Sequence, residues 1–258
     1  MPITFTKSLR TSMGDGFDSQ FVTSSIQINI DAAKTNSYPT YGTNWGDISG
    51  NGYNYTLIDG GYFDGNNGGS IYFVNGAYAD SPNFGSTFFG DFTYEVWIKP
   101  ENNTGTILRE IDKAGWQVSL IELVDGTVRI GAWTGGVSSI PLTPLDGVSW
   151  CQIVMTYSNS THTINGYING ELRDTTSNFM KEHPANDYYL TIADAETISN
   201  FGGGGNFVGN VGSLKLYNRV LTDEEVLQNY NALRYRYQPF TLTDFESNVT
   251  FSTNPSIS

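Results

Sequence analysis

The chain has 258 residues, enough for one large β domain or two small ones. Folding at this size removes about 75% of the unfolded surface from water, so neither a metal nor a disulfide is needed to hold the core. With 29 Gly, 16 Tyr and 15 Phe the composition favours strands and tight turns over long helices. Thirteen basic residues against 26 acidic ones leave a formal charge of −13, which repels nucleic-acid phosphates and anionic membranes and argues against either as a partner. The single cysteine, Cys151, excludes an internal disulfide and, lying in an apolar run, reads as a buried thiol.

Residues 1–25 are polar and rich in Ser and Thr, with Phe5, Phe17 and Phe21 outside any clean period, and read as an N-terminal arm. Their opening, MPITFTKSLR, lacks the apolar core of an export signal, so synthesis in a cytoplasm is expected. From Ile26 short apolar or alternating runs recur between Gly, Asn and Asp clusters, the pattern of an antiparallel sandwich. The clearest are Ile26–Ile30, Ser70–Val74, Phe92–Ile98, Gln117–Leu123, Thr127–Trp133, Trp150–Tyr157, Thr163–Asn169, Tyr188–Ala193 and Val211–Tyr217. In the third, Phe92, Tyr94, Val96 and Ile98 form a core face and Thr93, Glu95 and Trp97 a half-polar one. Asp125-Gly126 and Asn169-Gly170 are hairpin signals. Thr222-Asp223-Glu224-Glu225 is a capping box that opens a helix with Val226, Tyr230, Leu233 and Tyr237 on one stripe and Arg234 and Arg236 at its end. After Pro239 the polar mixture returns as a C-terminal tail, residues 239–258, with Phe240, Phe245 and Phe251. The expected domain is therefore 26–238, and the six phenylalanines of the two terminal segments are expected to contact other subunits.

Catalytic signals are few. The only histidines, His162 and His183, have no nucleophile-elbow sequence to serve, and Cys/His zinc ligation lacks ligands. The Gly202–Gly205 run is followed by no helix and reads as a loop. Sugar binding would need exposed aromatic platforms beside amides and carboxylates. Trp116 and Trp133, flanked by glycines, are candidates, with burial in the core as the competing reading.

Several segments resemble the laminin G-like, concanavalin A-like jelly-roll superfamily. They are Asn36-Ser37-Tyr38-Pro39 with Trp45 and Asp47 to Gly52, Gly69 to Phe73, Phe92 to Pro100, Trp150 to Tyr157, Gly166 to Leu172, and Gly209 to Thr222. The resemblance covers roughly residues 30–237 and implies an all-β, two-sheet antiparallel jelly-roll sandwich with one short C-terminal helix and extended terminal arms. It also implies a possible rim site for Ca²⁺, for which Asp31, Asp47 and Asn51 match by position, although no cofactor is required for folding. Glucanases of the superfamily set catalytic carboxylates on alternating positions of one strand. Here Glu110-Ile111-Asp112 is followed by Lys113, Ala114 and Gly115, so the set is incomplete and reads as a solvated charge pair. The closing segment, Leu216 through Leu233, is similar to laminin G-like domains of virion proteins of large tailed phages. That likeness implies a non-enzymatic structural protein on the virion exterior, a capsid decoration or fibre component, with the major capsid protein or further copies of itself as partners. A carbohydrate-binding adhesin for host surface glycans is the alternative, and a glycan hydrolase the third.

Overall fold

The computed structural model describes residues 21–85, 90–112, 117–133, 137–147, 149–179, 181, 187–194 and 205–238, with side chains for all of these except 117–119, 132–133, 137–140 and 142–144. Two antiparallel eight-stranded sheets lie face to face. Across the first run β14 (Glu171–Thr176), β13 (Thr163–Ile168), β12 (Cys151–Ser158), β7 (Phe92–Pro100), β16 (Gly209–Tyr217), β5 (Ser70–Phe73) and β4 (Tyr62–Asp64). Strand β1 (Ile26–Asp31) shares one edge of β16 with β5, pairing with residues 213–217 while β5 takes 209–211. Across the second run β11 (Val137–Pro144), β10 (Thr127–Trp133), β9 (Gln117–Val124), β8 (Gly105–Ile111), β15 (Tyr189–Ile192), β6 (Tyr78–Asp80), β3 (Tyr55–Ile58) and β2 (Asn44–Trp45). This is the expected jelly-roll sandwich.

Alternation decides what fills the space between the sheets. Phe92, Tyr94, Val96 and Ile98 of β7 meet Ile107, Ile121, Val128 and Leu190 of the facing sheet in one core. Both hairpin signals form tight turns with two left-handed residues, Asp125 at φ 50° with Gly126 at 78°, and Asn169 at 54° with Gly170 at 80°. Cys151 is buried, and burial pushes its thiol up to about 12.

The outer face of β7 is buried too. Thr93, Glu95 and Trp97 are closed over by helix α1 (Asp223–Tyr237) and by residues 21–25. The capping box forms as expected: Thr222 Oγ1 accepts from the Glu225 N–H, and Glu225 Oε2 from the Thr222 N–H. Arg219 adds a two-pronged ion pair to Glu225 at 2.6 and 2.7 Å, which holds the Glu225 carboxyl below the usual carboxylate range. On the buried stripe Val226 meets Val154, Tyr167 and Tyr217, and Tyr237 stacks between Trp97 and Trp150 at ring separations of 4.5 Å.

A polar cluster sits at the centre of that stripe. Lys215 Nζ donates to Glu95 Oε1 at 3.2 Å, and Asn229 Nδ2 donates to Glu95 Oε2 at 2.6 Å and to the Tyr217 hydroxyl at 3.0 Å. Asn229 Oδ1 accepts the Val22 N–H at 2.8 Å, the Tyr217 hydroxyl donates to the Val22 carbonyl at 2.9 Å, and the Phe21 ring covers the Lys215 ammonium at 5.1 Å. Val22 is buried with Tyr217 and Val226. Of the expected arm, residues 1–25, the segment 21–25 packs on the sandwich, and residues 1–20 lie outside the described residues. Phe21, expected to serve another subunit, packs on its own domain. Phe5, Phe17, Phe240, Phe245 and Phe251 lie outside the described residues.

Helix docking depends on Gly212, where a Cβ would stand 2.1 Å from the Tyr237 hydroxyl. Gly212→Ala is expected to displace Tyr237 and cost about 1–3 kcal/mol, read from the urea midpoint, with a change in tryptophan emission from Trp97 and Trp150. An unchanged midpoint would contradict this packing.

Candidate functional site

The strand that carries Glu110 and Asp112 does not bear the expected solvated charge pair at Glu110. Glu110 and Lys181 have no exposed side-chain surface and pair at 2.8 Å inside the sandwich. The Tyr188 hydroxyl donates to Glu110 Oε1 at 2.5 Å, and the Tyr94 hydroxyl lies 2.6 Å from that of Tyr188. Lys181 Nζ also faces the rings of Phe92 and Tyr188 at 5.5 and 6.0 Å. Burial pulls Lys181 below the ordinary lysine value, against the opposing pull of Glu110. A carboxylate sealed in this way reaches no glycan. Lys113, the expected neighbour, lies outside the described residues.

The three residues matched to a rim Ca²⁺ site are engaged in hydrogen bonds within the protein, the two aspartates as acceptors and Asn51 as a donor. Asp31 accepts from Arg236 Nη1 and from the Ala33 N–H, each at 2.9 Å. Asp47 accepts the N–H groups of Asn29, Ser49 and Tyr53 and the Ser49 hydroxyl, and Asn51 donates to the carbonyls of Ile26 and Gln27 and to Ser49 Oγ. A cation at Asp47 would have to displace four donors. Among the described residues no group of three or more His, Cys, Asp and Glu gathers to hold a metal.

Of the two tryptophans expected as sugar platforms, Trp116 lies outside the described residues. Trp133 ends β10 opposite Val137, and its side chain is not described. Trp45, Trp97 and Trp150 are buried.

Among the described residues an exposed aromatic pair lies on the outer face of the first sheet, on β4 and β5. Tyr62 of β4 stands directly across from Tyr72 of β5, their rings 5.0 Å apart and tilted by 31°. Ile71 and Phe73 face the core, so alternation turns Tyr72 outward. Tyr62 keeps 52% of its surface exposed. The Tyr72 hydroxyl donates to Glu101 Oε2 at 2.6 Å, which raises the phenol to about 12 and fixes the carboxylate beside the rings. Behind the pair, Asn210 Nδ2 donates to Asp64 Oδ2 and to Ser70 Oγ, both at 3.0 Å. Sequence reasoning missed this pair because β4 is only three residues long between glycines; the alternation of Gly61-Tyr62-Phe63 against Ile71-Tyr72-Phe73 was the signal available.

Glu101 also lines a cleft of about 170 Å³ at the sandwich rim, with Asn102, Asn103, Leu123, Gly126, Leu145, Asp146 and Gly147. Its walls are tied together where the Gly126 N–H donates to the Asn103 carbonyl at 2.6 Å and the Leu145 N–H to the Gly126 carbonyl at 2.8 Å. A second exposed tyrosine, Tyr41 at 75%, stands on a loop whose Thr40 has φ 74°, costly for a β-branched residue, and the Tyr38 hydroxyl braces that loop on the Gly42 carbonyl.

The model of the concanavalin A-like lectin/glucanases superfamily matches residues 73–227, more than half of the chain. The chain belongs to this superfamily. No curated protein matches it by sequence. Solved structures similar to this superfamily member include the binding domain of Paraclostridial Mosquitocidal Protein 1, with 21% identity and a TM-score of 0.60, covering 81% of this chain and 52% of that one. Domain 4 of the extracellular arabinanase AbnA from Geobacillus stearothermophilus, in complex with arabinotriose, is similar with 16% identity and a TM-score of 0.61, covering 80% and 98%. The binding domain of botulinum neurotoxin DC, in complex with SialylT, follows with 15%, 0.60, 83% and 52%. The chain spans about half the length of the toxin binding domains it matches. At these identities the likeness carries the fold, a jelly roll shared with binding domains.

Removing the charge of Glu110 strands Lys181 in the core. Glu110→Gln is expected to cost about 3–5 kcal/mol, and Glu110→Gln with Lys181→Met to recover most of it, by urea unfolding. Equal losses in both would contradict a structural ion pair.

Proposed function

We propose that this chain is a non-catalytic, lectin-type binding domain that recognises carbohydrate at Tyr62, Tyr72 and Glu101. The observation that carries the reading is the tyrosine pair with its ordered carboxylate. A pyranose presents an apolar face of C–H groups that packs on an exposed ring, and its hydroxyls need hydrogen-bond partners at the ring's edge. Glu101 supplies such an acceptor: a carboxylate accepts along about four directions, and Tyr72 occupies one. Two similar structures, the arabinanase domain in complex with arabinotriose and the neurotoxin binding domain in complex with SialylT, support a sugar ligand for this fold. The burial of Glu110 against Lys181 supports a role without glycan hydrolysis.

The virion setting is the finer part of the proposal. It rests on the resemblance of residues Leu216–Leu233 to laminin G-like virion proteins, and it makes the domain an exterior decoration or fibre component attached to the major capsid protein or to its own copies. The charge of −13 suits a surface that must not adhere to nucleic acid or anionic lipid. Mass spectrometry of fractionated, purified phage particles is expected to find the chain in the exterior fraction, and its absence from the particles would end this part.

Tyr62 is half exposed, so Tyr62→Ala is expected to change stability by no more than about 0.5 kcal/mol. In a glycan-array and titration experiment the same variant is expected to lose about tenfold or more in affinity, equivalent to about 1.4 kcal/mol. Retained affinity would move the site away from the tyrosine pair.

A further inference from the structure

The cleft beside Glu101 is unused by the ring-stacking contact, yet it adjoins it through that one residue. Its walls come from both sheets: Pro100 ends β7 of the first, and Leu123 lies in β9 of the second. Leu123 and Leu145 line it beside the polar residues Asn103 and Asp146. Asp146 is exposed, and its Oδ1 accepts the Ser149 N–H at 2.8 Å, which orders the group. Asp125 precedes Gly126 in the turn that forms another wall. Among the described residues lining the cleft none is basic. On the platform side Asp64 stands behind the tyrosines, and Lys99, in register with Asn210, is the lysine of that part of the sheet.

From this distribution we infer that the cleft is a second sugar subsite continuous with the tyrosine platform, and that the pair of subsites takes a neutral oligosaccharide while turning away sialylated and other anionic glycans. The inference rests on the proposed glycan-binding reading and narrows its ligand class. A sugar ring stacked on Tyr62 places its neighbour toward Glu101 and the cleft, where hydroxyl groups donate to Glu101 and Asp146 and accept from Asn103. A sialic acid carboxylate brought there meets two like charges, Glu101 and Asp146, and like-charge juxtaposition is a means of rejecting a ligand.

The test uses the full chain and matched soluble probes: lactose and N-acetyllactosamine, each with and without terminal sialic acid, together with arabinotriose and chitotriose, titrated by calorimetry. At least one neutral probe is expected to bind, and sialylation of the galactose-containing probes to weaken binding at least tenfold. In 1 M NaCl, where the screening length falls to about 3 Å, that discrimination is expected to shrink severalfold. Asp146→Asn, which leaves the tyrosine platform intact, is expected to shrink it severalfold at low salt. Equal or tighter binding of the sialylated probes, lost in Tyr62→Ala, would overturn this inference while leaving the proposed function standing. Discrimination unchanged in Asp146→Asn would also overturn it. Failure of every probe to bind would overturn the proposed function itself, and the inference with it.

Discussion

The outer face of β7 carries an aromatic ring and a carboxylate that both have to leave water. Trp97 and Glu95 alternate on it, and β16 adds Lys215 and Tyr217. A bare sheet face of this composition would expose a large apolar patch next to an ion pair, and burying that pair without further donors would cost several kcal/mol per charge. Helix α1 and residues 21–25 resolve both problems together. The aromatic stripe of the helix covers Trp97, and Asn229 with the Val22 backbone completes the hydrogen bonding around Glu95 and Tyr217.

The sandwich has a second internal charge pair on the opposite side of β7. Glu110 and Lys181, with Tyr94 and Tyr188, tie the two sheets together through β7, β8 and the segment leading into β15. The two pairs are unlike in purpose: one attaches a helix to a sheet, the other joins the sheets. In both, geometry is specified more than stability is gained, since an apolar replacement of equal volume would pack as well, whereas loss of one partner would not be tolerated.

Much of the fold was legible because periodicity survives wherever a strand is long and one of its faces is apolar. Strands β1, β5, β7, β9, β10, β12, β13, β15 and β16 lie where alternation or apolar runs placed them, and the capping box located α1 to the residue. The strands that escaped lack that pattern. Strand β14 is polar and exposed because it is an edge, and its register shift at Arg173, together with its charges, keeps the edge from pairing further. Strand β8 was hidden by Glu110, whose charge read as solvated while its partner Lys181 stood 71 residues away, a separation at which sequence carries no pairing signal. The same limit hid the tyrosine pair and its carboxylate: Tyr62, Tyr72 and Glu101 come together only through the β4–β5 register and the end of β7. Asn229, a polar residue within an apolar stripe, was skipped because its partners belong to three separate segments.

The clamp that holds residues 21–25 also joins two parts of the chain that are far apart in sequence. Phe21 packs in the cluster that contains Tyr237, and the next residue, Gln238, is tied to the Trp150 carbonyl and the Tyr230 hydroxyl. Phe21 and Gln238, 217 residues apart in sequence, are thus held on one cluster of rings. A stretch of chain whose first and last turns share one cluster can be joined to, or set within, another polypeptide at that spot without prising the sandwich apart.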